Sequence, residues 1–216
     1  MIWNTLRFLF PWFLILGMGV AWGLSFSLAK VAVNHGTAPL TLTVWQSIIA
    51  GILLLVLMFL RKIRLPFSKN LLWLCLVIAI CGFIIPGVSL YYAAPHVQAG
   101  VLSITVTLVP ILTYAISIPF GFEKPEFKRI LGLVFGTLAI LLIVIPENSL
   151  PEPEAVPWIL LSCLGSAFYS LEGIVIAKKM PEKLNPIGVA CIGNFLAVIF
   201  LLPLLFSSGQ QMFLNW

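Results

Sequence analysis

YYAAPHVQAGVLSITVTLVPILTYAISIPFGFEKPEFKRILGLVFGTLAILLIV, residues 91 to 144, sets two apolar runs on either side of a short charged knot. The knot reads Glu123-Lys124-Pro125-Glu126-Phe127-Lys128-Arg129. Each run approaches the roughly 20 residues that an α-helix needs to cross a hydrocarbon core. The first carries Pro110 in its middle and a line of small or polar residues down one side. The second carries Gly132 and Gly136, a GxxxG spacing that lets helix backbones approach closely.

The rest of the chain repeats this pattern. Of its 216 residues, 61% are hydrophobic and 9% are charged. Soluble domains carry about 25% charged residues, so a soluble chain of this composition would lack a polar surface. The reading is an all-α integral membrane protein, a polytopic helical bundle. Seven spans are expected near 9–33, 40–60, 71–92, 98–121, 130–146, 156–177 and 186–206. Long uninterrupted apolar runs fit helices, not the alternation of barrel strands. The N-terminal run continues past a signal-peptide length with no small-residue cleavage site, and reads as the first span.

The net charge of +5 raises nucleic acid as a partner. The placement of the cations argues against it, since they sit in short loops between apolar runs. Arg7, Arg61, Lys62, Arg64, Lys69, Lys124, Lys128, Arg129, Lys178, Lys179 and Lys183 all fall on one side; Lys30 alone of the 12 does not. The other side carries the acidic loop with Glu147, Glu152 and Glu154. The positive-inside rule puts the N-terminus in the cytoplasm and the C-terminus outside. The expected location is a plasma membrane, a bacterial inner membrane. Cys75, Cys81, Cys163 and Cys191 lie inside apolar runs without CxxC spacing and read as buried small hydrophobes.

The first and sixth spans match. Gly19, Ala21 and Trp22 align with Gly165, Ala167 and Phe168, and Pro39-Leu40 with Pro186-Ile187 after one residue of slippage. The repeat unit is therefore five helices. Five is odd, so the second copy is inverted, an arrangement typical of secondary transporters with a substrate site at the repeat interface. Residues 1–146 form the first repeat and 147–216 a partial second one.

In order and spacing the chain resembles the EamA-like group of the drug/metabolite transporter superfamily. Gly19-Val20-Ala21-Trp22-Gly23 with Pro39, the pair Tyr91-Tyr92, Ala93-Ala94, Pro110, Glu123 and Gly132 to Gly136 carry the likeness. The resemblance implies two five-helix repeats, secondary transport or export of a small metabolite by alternating access, and a proton or solute gradient as the drive. It implies no enzymatic activity and no cofactor. Only two helices of the second repeat precede Trp216. The competing expectation is a non-transporting remnant or accessory subunit that completes its bundle with a partner, self-association included.

Three spans offer chemistry. In the fourth, Gly100, Ser103, Thr107, Pro110, Tyr114 and Ser117 follow helical spacing and read as a substrate-cavity wall, or as ordinary packing by small residues. Pro110 leaves the Val106 carbonyl without a helical partner. In the sixth, Ser162, Gly165, Ser166, Tyr169 and Glu172 share a face. Glu172 is the one carboxylate clearly inside a span, and such residues are functional candidates by default. It either takes up a proton or cation, or pairs with Lys178 at the interface. In the first, Trp22 and Ser25 are cavity candidates. Lys30 either snorkels to the interface, attracts an anion or pairs with Glu172. Tyr91 joins the cavity set; Trp45, Gln46, Tyr92, His96 and Gln98 carry less weight. Gly23-Leu24-Ser25-Phe26-Ser27 superficially resembles an intramembrane serine protease motif, but lacks the second glycine and a histidine within a span. No catalytic residue, metal-ligand spacing or phosphate-binding loop is expected.

Overall fold

The computed structural model describes residues 2–66, 68–144 and 153–212. All regular structure in them is helical. The helices are α1 (Ile2–Asn34), α2 (Pro39–Leu60), α3 (Lys69–Ile78), α4 (Ile85–Ala93), α5 (Ala99–Thr107), α6 (Val109–Ser117), α7 (Phe127–Val144), α8 (Val156–Lys179) and α9 (Pro186–Ser207). A π-helical segment, Ala79–Ile84, joins α3 to α4.

Six stretches among the described residues are long and apolar enough to cross a membrane: Leu9–Asn34, Pro39–Leu60, Lys69–Ala93, Ala99–Ser117, Val156–Lys179 and Pro186–Ser207. They match the expected spans apart from the fifth. That one corresponds to α7, described as far as Val144, and residues 145 and 146 lie outside the described residues. So does most of the expected acidic loop.

Proline explains both interruptions. Pro86 has no N–H and its ring crowds the carbonyl of Gly82, four residues back. The ladder widens there, and Ile85 N–H bonds to Ile80 O, five residues back. In the fourth span Pro110 breaks the helix at Leu108, whose N–H reaches only Thr105 O at 3.3 Å. Val109 begins a new helix.

The core lies where α2 crosses α9. Leu40, Val44, Ala197, Leu201 and Leu205 are buried there together with Ala79 of the π segment. A second cluster joins α3 to α9 through Leu71, Leu74, Cys75, Ile78 and Val189. Helix α8 packs against α4 along a seam of small residues. A Cβ on Gly165 would stand 3.2 Å from Pro86 Cα, so the backbones meet because no side chain intervenes. The segment after α9 folds back over the start of α2. Gln210 Oε1 accepts from Leu40 N–H at 3.3 Å, and Trp45 Nε1 donates to Met212 O at 2.8 Å. Gln210 Nε2 also donates to the Tyr92 hydroxyl at 2.8 Å, so Trp45 and Tyr92 tie this end of the bundle together.

Two helices are peripheral. Nearly all of α1 from Leu9 to Leu28 is exposed, and only its final turns pack, through Phe26 and Ala29. Helix α7 makes no extensive contact with another helix among the described residues. A Cβ on its Gly132 would meet open space.

Candidate functional site

Residues of α2, the π segment, α4, α8 and α9 line one cavity of about 260 Å³. Its wall includes Gln46, Ser47, Gly82, Tyr169 and Asn194. Glu172, one turn beyond Tyr169 on α8, stands beside it. A Cβ built on Gly82 would lie 2.3 Å from Glu172 Oε1 and 2.7 Å from Oε2. The carboxylate thus occupies the space a side chain at position 82 would take. Glycine in the π segment is what admits it.

Glu172 has no hydrogen-bond or ion-pair partner among the described residues, and it is half-buried. The two partners expected for it are engaged elsewhere. Lys178 Nζ donates to Phe122 O at 3.3 Å and lies 5.4 Å from the Phe122 ring centroid. Lys30 Nζ donates to Val97 O at 2.6 Å and to Ala94 O at 3.3 Å. Those carbonyls follow α4, where a cation also complements the helix dipole. Lys30 therefore fastens the end of α1 to the end of α4.

A larger cavity of about 520 Å³ opens between α1, α2 and α4. Ser25, Ala29, His35, Trp45, Gln46 and Tyr91 are on its wall. Gln46 borders both cavities, and its Oε1 accepts from the Tyr91 hydroxyl at 2.6 Å. Ser25 donates to Trp22 O in its own helix at 2.6 Å. A narrow crevice of about 20 Å³ holds Trp22, Ser166 and Tyr169. The Trp22 and Tyr169 rings meet edge to face at 6.3 Å. Ser166 is buried and donates to Thr105 O at 2.8 Å.

The fourth-span residues divide. Ser103 and Thr107 donate to Gly100 O and Ile104 O of their own helix, each at 2.7 Å. Thr107 and Pro110 are exposed and Ser103 partly so. The face turned to α8 is the neighbouring one, where Leu102 and Thr105 are buried. Thr105 meets Ser162 hydroxyl to hydroxyl, and Ser170 donates to Val109 O at 3.0 Å. Tyr114 is buried by the charged knot: Glu126 N–H donates to its hydroxyl at 2.8 Å, and that hydroxyl reaches Lys124 O at 3.2 Å. Arg129 closes the knot with Glu123 at 2.9 Å and Glu126 at 3.1 Å.

The structure therefore gathers Trp22, Ser25, Tyr91, Ser166 and Tyr169 on the walls of three cavities that share Gln46 or Tyr169, with Glu172 beside one of them. It leaves Ser103, Thr107, Pro110, Tyr114 and Lys30 outside them. Asn194 and Gly82 were not singled out from the sequence, and Gln46 carried little weight. Asn194 had a readable signal, an amide in the middle of an apolar run. Gly82 had none, because its role depends on which residue of α8 faces it.

A bundle with six described helices long and apolar enough to cross a bilayer is an integral, multi-pass membrane protein. The chain belongs to the EamA-like transporter family, whose sequence profile matches residues 9–145. It is 26% identical over 191 residues to an uncharacterized transporter of Archaeoglobus fulgidus, covering 88% of this chain and 66% of that protein. It is also 26% identical over 179 residues to the uncharacterized inner membrane transporter YedA of Escherichia coli K12, covering 83% of this chain and 58% of YedA. The chain thus spans less than two thirds of the length of either relative. No solved structure gives a significant match.

Proposed function

We propose that this chain works in secondary transport of a small metabolite across a plasma membrane, by alternating access and driven by a proton or solute gradient. The observation that carries the reading is Glu172, half-buried and unpaired beside a cavity with Gln46, Ser47 and Asn194 on its wall. An interior carboxylate costs about 2.5–3.5 kcal/mol on insertion scales, so one without a partner calls for a proton or a cation. Of the two coupling candidates Glu172 bears this role, since the Lys30 ammonium is held by backbone carbonyls. Trp22, Ser25, Gln46, Tyr91, Tyr169 and Asn194 supply the substrate path. The basic loops support a cytoplasmic N-terminus.

A second reading draws on α1. Its apolar surface is exposed on nearly every side, including positions beside the larger cavity. On this reading further helices complete the bundle, and transport needs them. The five-helix inverted repeat supports it, since the counterpart of the α8–α4 seam would set a further span against α1.

The test is proteoliposomes loaded with a pH-sensitive dye and challenged with pools of small polar metabolites. The expected result is metabolite-dependent proton movement in the wild-type chain. With Glu172→Gln, pH dependence should flatten while the protein stays monodisperse. Unchanged pH-dependent uptake in that variant would remove Glu172 from coupling.

A further inference from the structure

The sign and layout of the polar groups around the 260 Å³ cavity narrow its ligand. We infer that this cavity recognises a small organic monocation, an amine in its ammonium form. The inference rests on the transport reading of the same site and names its substrate class.

Charge decides first. The groups facing the cavity from α2 and α9 are the neutral Gln46, Ser47 and Asn194. The π segment contributes Gly82 with Cys81 beside it, and α8 contributes Tyr169, with Glu172 set against Gly82. None of the described residues lining the cavity is charged, and the Glu172 carboxylate stands against Gly82 of its wall. Lys30 and Lys178, the two cations expected as partners of Glu172, are bonded to the Val97 and Phe122 carbonyls instead. An anionic ligand would meet repulsion with nothing to offset it. A cation would neutralise the carboxylate in a low-dielectric site, where the attraction is strongest.

The neutral groups then choose among cations. A bare proton would satisfy Glu172 but leave the remaining volume and the two amides without a purpose. A divalent metal ion wants several oxygen ligands in a tight shell, and one carboxylate with one amide oxygen is a poor set. An ammonium fits better. Asn194 Nδ2 donates to Ala190 O at 2.9 Å, which leaves its Oδ1 as an acceptor. The Tyr169 ring lies on the cavity wall, braced edge-on by Trp22, and aromatic faces attract ammonium groups. Gln46 Oε1 is taken by Tyr91, so its amide N–H groups remain for an acceptor elsewhere on the ligand. The cavity thus has an acceptor in Asn194, a carboxylate beside it in Glu172 and a donor in Gln46.

The experiment uses the purified chain in detergent with three matched probes: benzylamine, benzyl alcohol and benzoate. Binding is read by calorimetry at neutral pH, corrected against protein-free micelles. Benzylamine should bind at least about tenfold more tightly than benzyl alcohol, and benzoate should not bind. Glu172→Gln should bring amine and alcohol to parity. Gly82→Ala keeps the carboxylate but forces it away from its present position, and should cut the amine preference several-fold. Equal binding of amine and alcohol to the wild-type chain overturns the proposal. So does an amine preference that survives in monodisperse Glu172→Gln; if that variant does not fold, an unaltered preference in Gly82→Ala does the same. A selective amine site without any flux would overturn the transport reading and leave this one standing. Flux of other solutes with no amine preference would do the reverse.

Discussion

Ser166 and Thr107 are both hydroxyl residues within apolar spans, and the structure gives them different work. Ser166 is buried at the α8 seam and bonds across to Thr105 O, whereas Thr107 is exposed and bonds back to its own helix. Ser166→Ala should cost about 0.5–1.5 kcal/mol, the range for one interhelical hydrogen bond. Thr107→Ala should stay within about 0.5 kcal/mol. Thermal melting in detergent compares the two. The same contrast shows what spacing alone leaves hidden. A polar stripe in a membrane helix is expected to face protein or water, yet back-bonding satisfies Ser103 and Thr107 without either. The stripe was legible, but its direction was not, because one hydroxyl beside it, Thr105, carries the contact with α8. Glu172 was legible as a lone carboxylate in an apolar span. Its freedom from Lys178 and Lys30 was not, since both lysines choose carbonyls over it.

Among the elements, the interrupted helices follow directly from proline. Pro110 pointed to a bend in the fourth span, and the chain does break there at Leu108. Pro86 gave less warning, and its π segment is what sets Gly82 opposite Glu172. The seam between α4 and α8 depends on Gly165 in the same way. Its missing side chain lets Pro86 approach, and any Cβ would press on backbone atoms that cannot rotate aside. Gly165→Val should therefore destabilise the bundle by about 1–3 kcal/mol through overpacking. Gly132→Val, on the open face of α7, should change stability little. The GxxxG spacing in α7 was readable as a packing face. The described helices do not supply its partner, while the seam that does pack carries only one glycine.

For the whole molecule, composition and loop charge fixed the class before any contact was known. Too few charged residues remain to cover a soluble surface, and the apolar runs have the length of a bilayer. Six described spans agree in position with the expected ones. Which helices meet was beyond reach, because neighbours in a membrane bundle are chosen by close packing and not by hydrophobic pattern. The pairing of α2 with α9 and of α8 with α4 is what creates the cavity between them. Family membership supports the architecture, and the cavity supports the transport reading. That reading requires water to reach Gln46 and Asn194 on the cavity wall. Cysteine accessibility tests this most directly. In a chain whose four native cysteines are replaced by alanine, Gln46→Cys and Asn194→Cys should react with a membrane-impermeant maleimide, and benzylamine should slow the reaction. Ile199→Cys, on the outer apolar face of α9, should stay unlabelled. Unreactive cysteines at both cavity positions, in a folded protein, would contradict the account.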